Sequence, residues 1–512
     1  MSITTVPAAG QYGAIYDALP QELPINAWSS VQNIRFRDGC AERFRGSAQV
    51  FTSPSVTPYY LTPYRSLNSK FWVHAGLARV YADDGATRTD LTPVATYTGA
   101  IDDRWTGGSA QGVLVINNGV DQPQFWGGNV ATKFATLTGW NAAWRCASLR
   151  PFKNYLVALD VTKTGTRYGS MVKWSSAASP GSLPVSWDET DATKDAGEQD
   201  LAETSDLLVD QLQLGDVNVI YKERSMYGMQ YIGAPFIWRF YRLPGDVGML
   251  ARGCGAATPK GHVILTAGDV ILHTGQGPQS IINARMRRWL FNTIDTAVFG
   301  RSFVTASPAT NEVWICFPEN GQATCTLALV WNWNDDTFSI RQLSNVTYGA
   351  PGMALFSSTS SWATDPDIWS NDATTWGNDG FGISETRLLT CNAAPGIWAM
   401  ESGSAFNGVT PTCILERTGI AFDAPDVVKT IKSITPRIDA SPGTVLSFQV
   451  GASMDAEVAP TWGAAVSYTV GTTRKVDSFA TGRFLSIRIT STSAALWRLK
   501  SFDCDVQAHG RY

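Results

Sequence analysis

The residues with the clearest chemical potential are acidic and lie close together in the middle of the chain. From Asp188 to Asp210 there are nine carboxylates and one lysine. Such a run is either a solvated loop or the wall of a passage along which a polyanion must move without binding, because like charges repel. The candidates for lining a passage of this kind are Asp188, Asp191, Asp195, Glu198 and Asp200.

Two groups of arginines are the positive counterpart of the acidic run. One consists of Arg35, Arg37, Arg43 and Arg45, and the other of Arg285, Arg287 and Arg288 beside Trp289. The whole chain has 40 basic and 44 acidic side chains, and this net charge of -4 excludes a broadly basic protein that wraps nucleic acid. We therefore expect the second group to form a subunit contact or an ion-pair patch within the chain, whereas the first group belongs to a segment that packs on something else. The candidates for subunit contacts are Arg35, Arg37, Arg287 and Arg288.

Three tryptophans, Trp362, Trp369 and Trp376, recur at intervals of seven residues. A heptad usually indicates a coiled coil, but the residues between these tryptophans are rich in Asp, Pro, Ser, Thr, Asn and Gly, which favour turns. We interpret each unit of this insertion, residues 361–380, as a turn that presents one indole. Exposed indoles favour aggregation, so we expect the three to pack on the domain itself or on a neighbouring subunit.

Signatures of catalysis or of bound cofactors are missing from the sequence. It contains no nucleophile elbow, phosphate-binding loop, zinc-protease motif or dinucleotide fingerprint. The four histidines lie far apart, and the eight cysteines include no C-x-x-C pair, which favours free thiols over a metal site or a disulfide framework. We predict no enzyme, no cofactor and no metal, and no membrane anchor either, because no stretch approaches about 20 apolar residues.

The elements that must position these residues are short β-strands that recur with a regular period. The strand centres Trp72, Val115, Leu156, Val219, Ile264 and Trp314 are 43, 41, 63, 45 and 50 residues apart. Removing the acidic insertion from the long interval restores the period. Repeats of about 40 to 50 residues with several strands each are typical of β-propeller blades. We predict a propeller over residues 46–425 with six blades, or seven if residues 387–391 and 413–422 complete the ring.

The pattern changes at both ends of the chain. Residues 426–512 alternate apolar and polar side chains with period two, separated by turns, which predicts an antiparallel β-sandwich. Residues 1–45 combine extended chain with the first arginine group and indicate an arm that packs on something else. The predicted class is all-β, with a propeller, a C-terminal sandwich and an N-terminal extended arm; the arm and the sandwich would form a platform for assembly.

Several short phrases resemble the tail nozzle or hub proteins of short-tailed bacteriophages, a family that includes the packaged-DNA stabilisation protein of P22-like phages. The phrases occupy residues 29–39, 172–175, 221–227, 335–341 and 510–512, and the Trp/Asp heptads are similar too. At residue 173 this chain has lysine where the family usually has arginine in Val-Arg-Trp-Ser. The resemblance implies a propeller body, a ring of identical subunits on the tail axis, and passage of double-stranded DNA through its lumen.

We therefore expect a structural virion protein, made in the bacterial cytoplasm, that forms a ring, most simply a homohexamer, on the phage tail. The ring would close or extend the DNA channel, retain the packaged genome and let DNA pass on infection without sequence-specific binding. Its expected partners are the portal and adaptor proteins and a tail fibre or needle protein. The alternative is a carbohydrate-binding or glycan-cleaving propeller, although the S-x-D-x-G-x-x-W motif of sialidase-like propellers is missing from the sequence.

Overall fold

Strands account for nearly all of the regular structure of this protein. The computed structural model describes residues 2–66, 70–353 and 386–511. Within these ranges, helix is confined to α1 (Arg287–Thr293) and to two single 3-10 turns, Pro20–Glu22 and Phe299–Arg301. The predicted all-β class, with a propeller and a C-terminal sandwich, is confirmed.

Five short strands lie in the first 49 residues. The strands that follow form seven antiparallel groups of four, numbered here as blades 1 to 7; blades 1 to 5 are separate sheets, and blades 6 and 7 share one long strand within a larger sheet, with the fifth of the first strands as the last strand of blade 7. The first strands are β1 (Ser2–Val6), β2 (Ser30–Gln32), β3 (Ile34–Arg37), β4 (Cys40–Arg43) and β5 (Ser47–Gln49). Blade 1 contains β6 (Tyr60–Arg65), β7 (Lys70–Ala75), β8 (Val80–Asp83) and β9 (Arg88–Asp90). Blade 2 contains β10 (Thr106–Ala110), β11 (Val113–Asn117), β12 (Gln124–Trp126) and β13 (Ala135–Thr136). Blade 3 contains β14 (Trp144–Phe152), β15 (Tyr155–Lys163), β16 (Thr166–Trp174) and β17 (Gly197–Asp200).

The remaining blades continue in chain order. Blade 4 contains β18 (Leu208–Leu214), β19 (Val217–Lys222), β20 (Met226–Gly233) and β21 (Ile237–Arg242). Blade 5 contains β22 (Gly255–Thr258), β23 (Gly261–Leu265), β24 (Val270–His273) and β25 (Pro278–Ser280). Blade 6 contains β26 (Phe303–Ser307), β27 (Glu312–Phe317), β28 (Cys325–Asn332) and the first half of β29 (Thr337–Met353). Blade 7 contains the second half of β29, β30 (Thr386–Asn392), β31 (Gly396–Met400) and β5.

The ring of blades is closed by strands from distant parts of the chain. The long strand β29 passes from blade 6 into blade 7 and packs there against β6 of blade 1. The fourth strand of blade 7 is β5, whose Ser47 pairs with Met400 of β31. The propeller therefore has seven blades, and its last blade combines residues from both ends of the propeller sequence.

The repeated sequence phrase corresponds to the second strand of each blade. The six phrase centres, each at most 1% exposed, are Trp72, Val115, Leu156, Val219, Ile264 and Trp314. A second strand is covered on both faces by the neighbouring blades, so it carries an almost continuous apolar run instead of an alternating one. In the seventh blade this position is taken by β30, which includes the predicted segment 387–391.

The predicted segment 413–422 does not belong to the propeller. Its strand β32 (Cys413–Ile420) begins the sandwich, which continues with β33 (Val427–Ala440), β34 (Val445–Ser453), β35 (Thr461–Trp462), β36 (Val466–Thr469), β37 (Val476–Gly482), β38 (Phe484–Ser491) and β39 (Trp497–Arg511). One sheet has the order β2-β32-β38-β34, with β35 and β36 on β34, and the other includes β39-β33-β37. Burial along β32 alternates, as expected for a strand with one covered face. The last propeller strand therefore ends at Met400, well before the predicted boundary at residue 425.

The first 45 residues join the propeller to the sandwich instead of extending from them. Strand β1 pairs with β39, β2 pairs with β32, and the β3–β4 hairpin lies between β29 of blade 6 and β39 of the sandwich. The backbone N–H of Asn33 donates to the carbonyl oxygen of Ile340 at 2.9 Å. Glu42 of β4 lies opposite Arg498 of β39 in the antiparallel sheet. Blade 6 and one sandwich sheet are therefore connected through the arm as one continuous sheet.

Candidate functional site

A buried carboxylate, Asp210, connects the innermost strands of the propeller. Asp210 on β18 is 1% exposed and accepts hydrogen bonds of 2.7 Å from both Nε and Nη2 of Arg150 on β14. The hydroxyl of Ser148 donates to it at 2.8 Å, and the backbone N–H of Gly253 donates at 3.0 Å. This axial cluster, Ser148, Arg150, Asp210 and Gly253, holds blades 3, 4 and 5 together around the propeller axis.

Two more arginines lie near the axial cluster. Arg104, just before β10, is 8% exposed, and its guanidinium carbon lies 5.7 Å from the ring centre of Tyr348. Arg252, next to Gly253, donates to the carbonyl oxygen of Ala147 at 2.8 Å. Burial lowers the pKa of Arg252, and the nearby Asp210 opposes this shift. Arg252 is therefore subject to two opposing charges, the carboxylate of Asp210 and the guanidinium of Arg104.

The acidic stretch lies at the opposite side of its blade from the axis. Residues 188–200 lead into and include β17, the fourth and outermost strand of blade 3. Asp188 and Asp191 each accept from a backbone N–H two residues on, at 2.9 Å in both cases, and so stabilise turns. Asp195 accepts a hydrogen bond of 3.1 Å from the hydroxyl of Tyr155, and Asp200 is exposed at the end of β17. None of these four residues faces the propeller axis.

Glu198 has an internal partner, which corrects its assignment to a channel wall. Its Oε2 lies 2.9 Å from Nζ of Lys173, and it also pairs with Lys163. Lys173 on β16 is fully buried, and Oε2 of Glu189 lies 2.6 Å from the same ammonium. The ammonium also lies 4.8 Å from the ring centre of Trp144. Glu198 and Glu189 therefore both pair with the buried Lys173.

Replacing both carboxylates tests this pairing. We expect the variant Glu189→Gln/Glu198→Gln to lose about 1 to 3 kcal/mol of unfolding free energy at neutral pH, because the buried amine of Lys173 is left without a carboxylate partner. This expected loss of unfolding free energy is smaller than the loss for a fully buried ion pair, because both carboxylates are partly exposed. Urea unfolding followed by circular dichroism measures it, with the exposed Glu203→Gln as the control expected to change little.

The same pair predicts a pH dependence. Burial raises the pKa of Glu189, but its bond to Lys173, its own backbone N–H and the charges of Lys173 and Lys163 together outweigh burial and lower the pKa to about 2 from the ordinary 4.5. A lowered carboxylate pKa stabilises the fold above the ordinary value, and the stabilisation is lost as the pH falls from 4.5 towards 2. The double variant should therefore lose less stability than the wild type across this pH range. Parallel acid profiles of the two proteins would contradict the pairing.

Arg35 lies in a buried ion cluster that attaches the arm to the propeller. The residue is 2% exposed, its Nη2 pairs with Oε1 of Glu401, and its Nε lies 3.5 Å from Oε1 of Glu312 and 4.0 Å from Oε1 of Glu42. Nη1 of Arg341 lies 3.1 Å from Oε1 of Glu401. Burial by itself lowers the pKa of Arg35, but the three carboxylates outweigh it and raise the pKa. The cluster connects β3 and β4 with blades 6 and 7.

The other predicted subunit contacts have different environments. Arg35 is enclosed within its own chain, so its assignment to a subunit contact is replaced by this internal role. Arg37 is partly exposed and lies 3.0 Å from Glu42. Arg287 and Arg288 are both exposed on α1, and Nε of Arg287 donates to the carbonyl oxygen of Gly268 at 2.8 Å. These three residues remain accessible, whereas Trp362, Trp369 and Trp376 lie outside the described residues.

Two of the four histidines, His262 and His273, are buried in blade 5. Nδ1 of His262 and the hydroxyl of Tyr221 are 2.9 Å apart, and Nδ1 of His273 lies 3.3 Å from the same hydroxyl. Burial lowers the pKa of His262 to about 4. In the part of the chain that the structure describes, no group of three or more His, Cys, Asp or Glu residues has a metal-binding arrangement. No helix in the same part is long and apolar enough to cross a membrane.

Comparisons with known proteins add no identification. No protein-family model matches the chain, and no curated protein matches it significantly. Among solved structures, the computationally designed Ika8 protein aligns at 9% identity with a TM-score of 0.39, over 76% of this chain and 99% of its own. The WD40 β-propeller domain of Doa1 aligns at 9% identity with a TM-score of 0.34, over 70% of this chain and 97% of its own. The assignment of function therefore depends on the chain's own sequence and geometry.

Proposed function

We propose that this protein is a structural subunit of a ring, most simply a hexamer, on the tail axis of a short-tailed bacteriophage. In this role it closes or extends the DNA channel and retains the packaged genome until infection. Its work is mechanical and electrostatic, and no side chain performs covalent chemistry. The portal and adaptor proteins are its proposed neighbours on one side, and a fibre or needle protein on the other.

The observation that supports this proposal is the contact between two of the phrases that carry the family resemblance. Asp335 accepts a hydrogen bond of 2.9 Å from the backbone N–H of Asp38, and the hydroxyl of Thr337 donates to the carbonyl oxygen of Phe36 at 3.1 Å. The phrases at 29–39 and 335–341 thus form one junction, where the arm hairpin joins blade 6 to the sandwich. A continuous β-sheet between the two β bodies suits a subunit that must bear the pressure of packaged DNA.

The assembly state tests the proposal. Native mass spectrometry and negative-stain microscopy should show closed rings, with a mass near six times 55.5 kDa for a hexamer. The chain should be examined alone and after coexpression with the portal and adaptor proteins of the same genome. A chain that stays monomeric in both samples would contradict the proposal. If that monomer were also retained on a glycan array, the carbohydrate-binding alternative would replace it.

The outer edge of blade 3 is the surface that we propose faces the DNA. Three of its carboxylates, Asp188, Asp191 and Asp200, take no part in the neutralisation of Lys173. Changing all three to lysine should slow DNA exit from particles at low salt and have little effect at high salt, because each new phosphate contact is screened by salt. Ejection kinetics by light scattering measure this effect.

The matched control places lysine at three exposed acidic positions on blade 4. These positions are Asp216, Glu223 and Asp246, and the variant is Asp216→Lys/Glu223→Lys/Asp246→Lys. If the control slowed exit as much as the blade 3 variant, the effect would come from net charge and not from the position of the acidic stretch. Unchanged ejection kinetics in the blade 3 variant at low salt would indicate that the acidic stretch is a solvated loop without a role in DNA passage.

A further inference from the structure

A deep cleft lies where the arm, blades 6 and 7 and the sandwich meet. Its volume is about 830 Å³, within the usual range of about 300 to 1,000 Å³ for ligand sites. The walls come from β3 and β4, from the turn after β26, from the ends of β30 and β31, and from residues 439–441 and 496–498 of the sandwich. A molecule bound here would contact all three parts of the protein at once.

Positive charge dominates the described walls of the cleft. Six arginines line it: Arg35, Arg37, Arg43, Arg45, Arg387 and Arg498. The carboxylates in the same lining are Glu42, Glu401 and Asp439. Asp439 pairs at 3.0 Å with Lys500, which is not part of the lining, so it neutralises none of the six arginines directly. Glu312 and Asp38, which also lie outside the lining, pair with Arg35 and Arg498, so the local excess of positive charge is carried by Arg43 and Arg45.

The cleft walls also hold buried hydrogen-bond donors that have no acceptor. Arg43 is 3% exposed; its Nη2 donates to the carbonyl oxygen of Ser404, but its Nε and Nη1 have no hydrogen-bond partner. The indole N–H of Trp497, which is 2% exposed, has none either. Nε of Arg498 lies 3.6 Å from Glu42 and makes no hydrogen bond. Buried donors without partners destabilise a fold, so their concentration here requires an explanation.

We propose that the cleft is a binding site for a compact polyanion that carries at least two phosphate or carboxylate groups. Guanidinium groups and an indole N–H can donate to an anion but cannot accept, so an oxyanion satisfies all the unpaired groups together. The volume exceeds that of a single phosphate, which is why the ligand carries more than one charged group. The bound anion would fasten the arm to the propeller and the sandwich. The proposal does not depend on ring assembly.

Isothermal titration calorimetry of the full chain tests the site, with tripolyphosphate and citrate as separate probes. We expect saturable binding at one molecule per chain for at least one probe, and weaker binding at high salt. The preference between the two probes distinguishes a phosphate ligand from a carboxylate ligand. The same probe should raise the melting temperature, because a ligand that binds only the folded state stabilises it. Absence of saturable binding to both probes would overturn the proposal.

Two variants locate the binding in the cleft without removing a buried charge. Trp497→Phe keeps the aromatic packing and removes the indole donor, and Arg45→Gln changes an exposed arginine. Each should weaken the affinity about fivefold to tenfold, which corresponds to one charge-assisted hydrogen bond. The control is Arg437→Gln, because Arg437 is an exposed arginine on the sandwich outside the cleft that pairs with Asp503. Equal affinity in all three variants and the wild type would show that the anion binds elsewhere.

Discussion

Replacing Arg35 with methionine is expected to lower the free energy of unfolding by about 3 to 5 kcal/mol. The substitution keeps much of the side-chain volume but leaves Glu312 and Glu401 without their main cation in a buried position. It also removes the contact of the guanidinium with the ring of Phe44, whose centre lies 4.5 Å away. Urea unfolding of the purified chain, followed by tryptophan fluorescence, measures the change.

The matched control for Arg35 lies two residues further along the same strand. The side chain of Arg37 is 39% exposed and pairs with Glu42, so Arg37→Met should change the unfolding free energy by less than about 1 kcal/mol. A small effect for both variants would indicate that Arg35 is accessible and would restore its assignment to a subunit contact. A large effect for Arg35 alone supports the internal attachment of the arm.

Replacing Asp210 with alanine should have an effect of similar size, about 3 to 5 kcal/mol. The change leaves Arg150 with a buried charge and removes the acceptor of Ser148 and of the Gly253 N–H. The control is Asp216→Ala, two residues beyond the end of the same strand, where the side chain is 92% exposed and the change should be within about 0.5 kcal/mol. Similar effects for the two variants would show that the axial cluster does not hold the blades together.

Asp210 also predicts how the propeller responds to acid. Burial raises the pKa of this carboxyl, but Arg150 and the other donors outweigh burial and lower the pKa below the ordinary 3.8. The stabilisation is therefore present above 3.8 and is lost as the pH falls below it. Asp210→Asn keeps the shape and cannot ionise, so it should lose less stability than the wild type below this pH. A steeper loss in the variant would contradict the sign of the shift.

The positions of the charged side chains are where sequence reasoning and structure differ most. Arg35 was assigned to a subunit contact and Glu198 to a channel wall from the composition of their own segments, because charged residues lie at the surface by default. Their partners lie in other strands, and Arg35 and Glu312 are separated by most of the propeller sequence. A single charged residue within an otherwise apolar strand, such as Lys173 in β16, indicates that a charge will be buried. It does not indicate which carboxylate will neutralise that charge.

The amino-acid sequence by itself determined the fold class and the repeat. The second strand of every blade is covered on both faces, so its continuous apolar run recurs with the period of the blade and is visible without coordinates. The alternating pattern of the sandwich is visible for the corresponding reason, because each of its strands has one covered face.

Only the tertiary structure decided how the parts are joined. The closure of blade 7 by β5, the arm hairpin between β29 and β39, and the ion pairs of Arg35 and Asp210 all bring together residues that are far apart in the chain. Strand pairing and charge neutralisation depend on distances of a few ångströms between such residues. Local patterns of hydrophobicity carry no information about those distances, so the junctions and the charged clusters become visible only when the chain is folded.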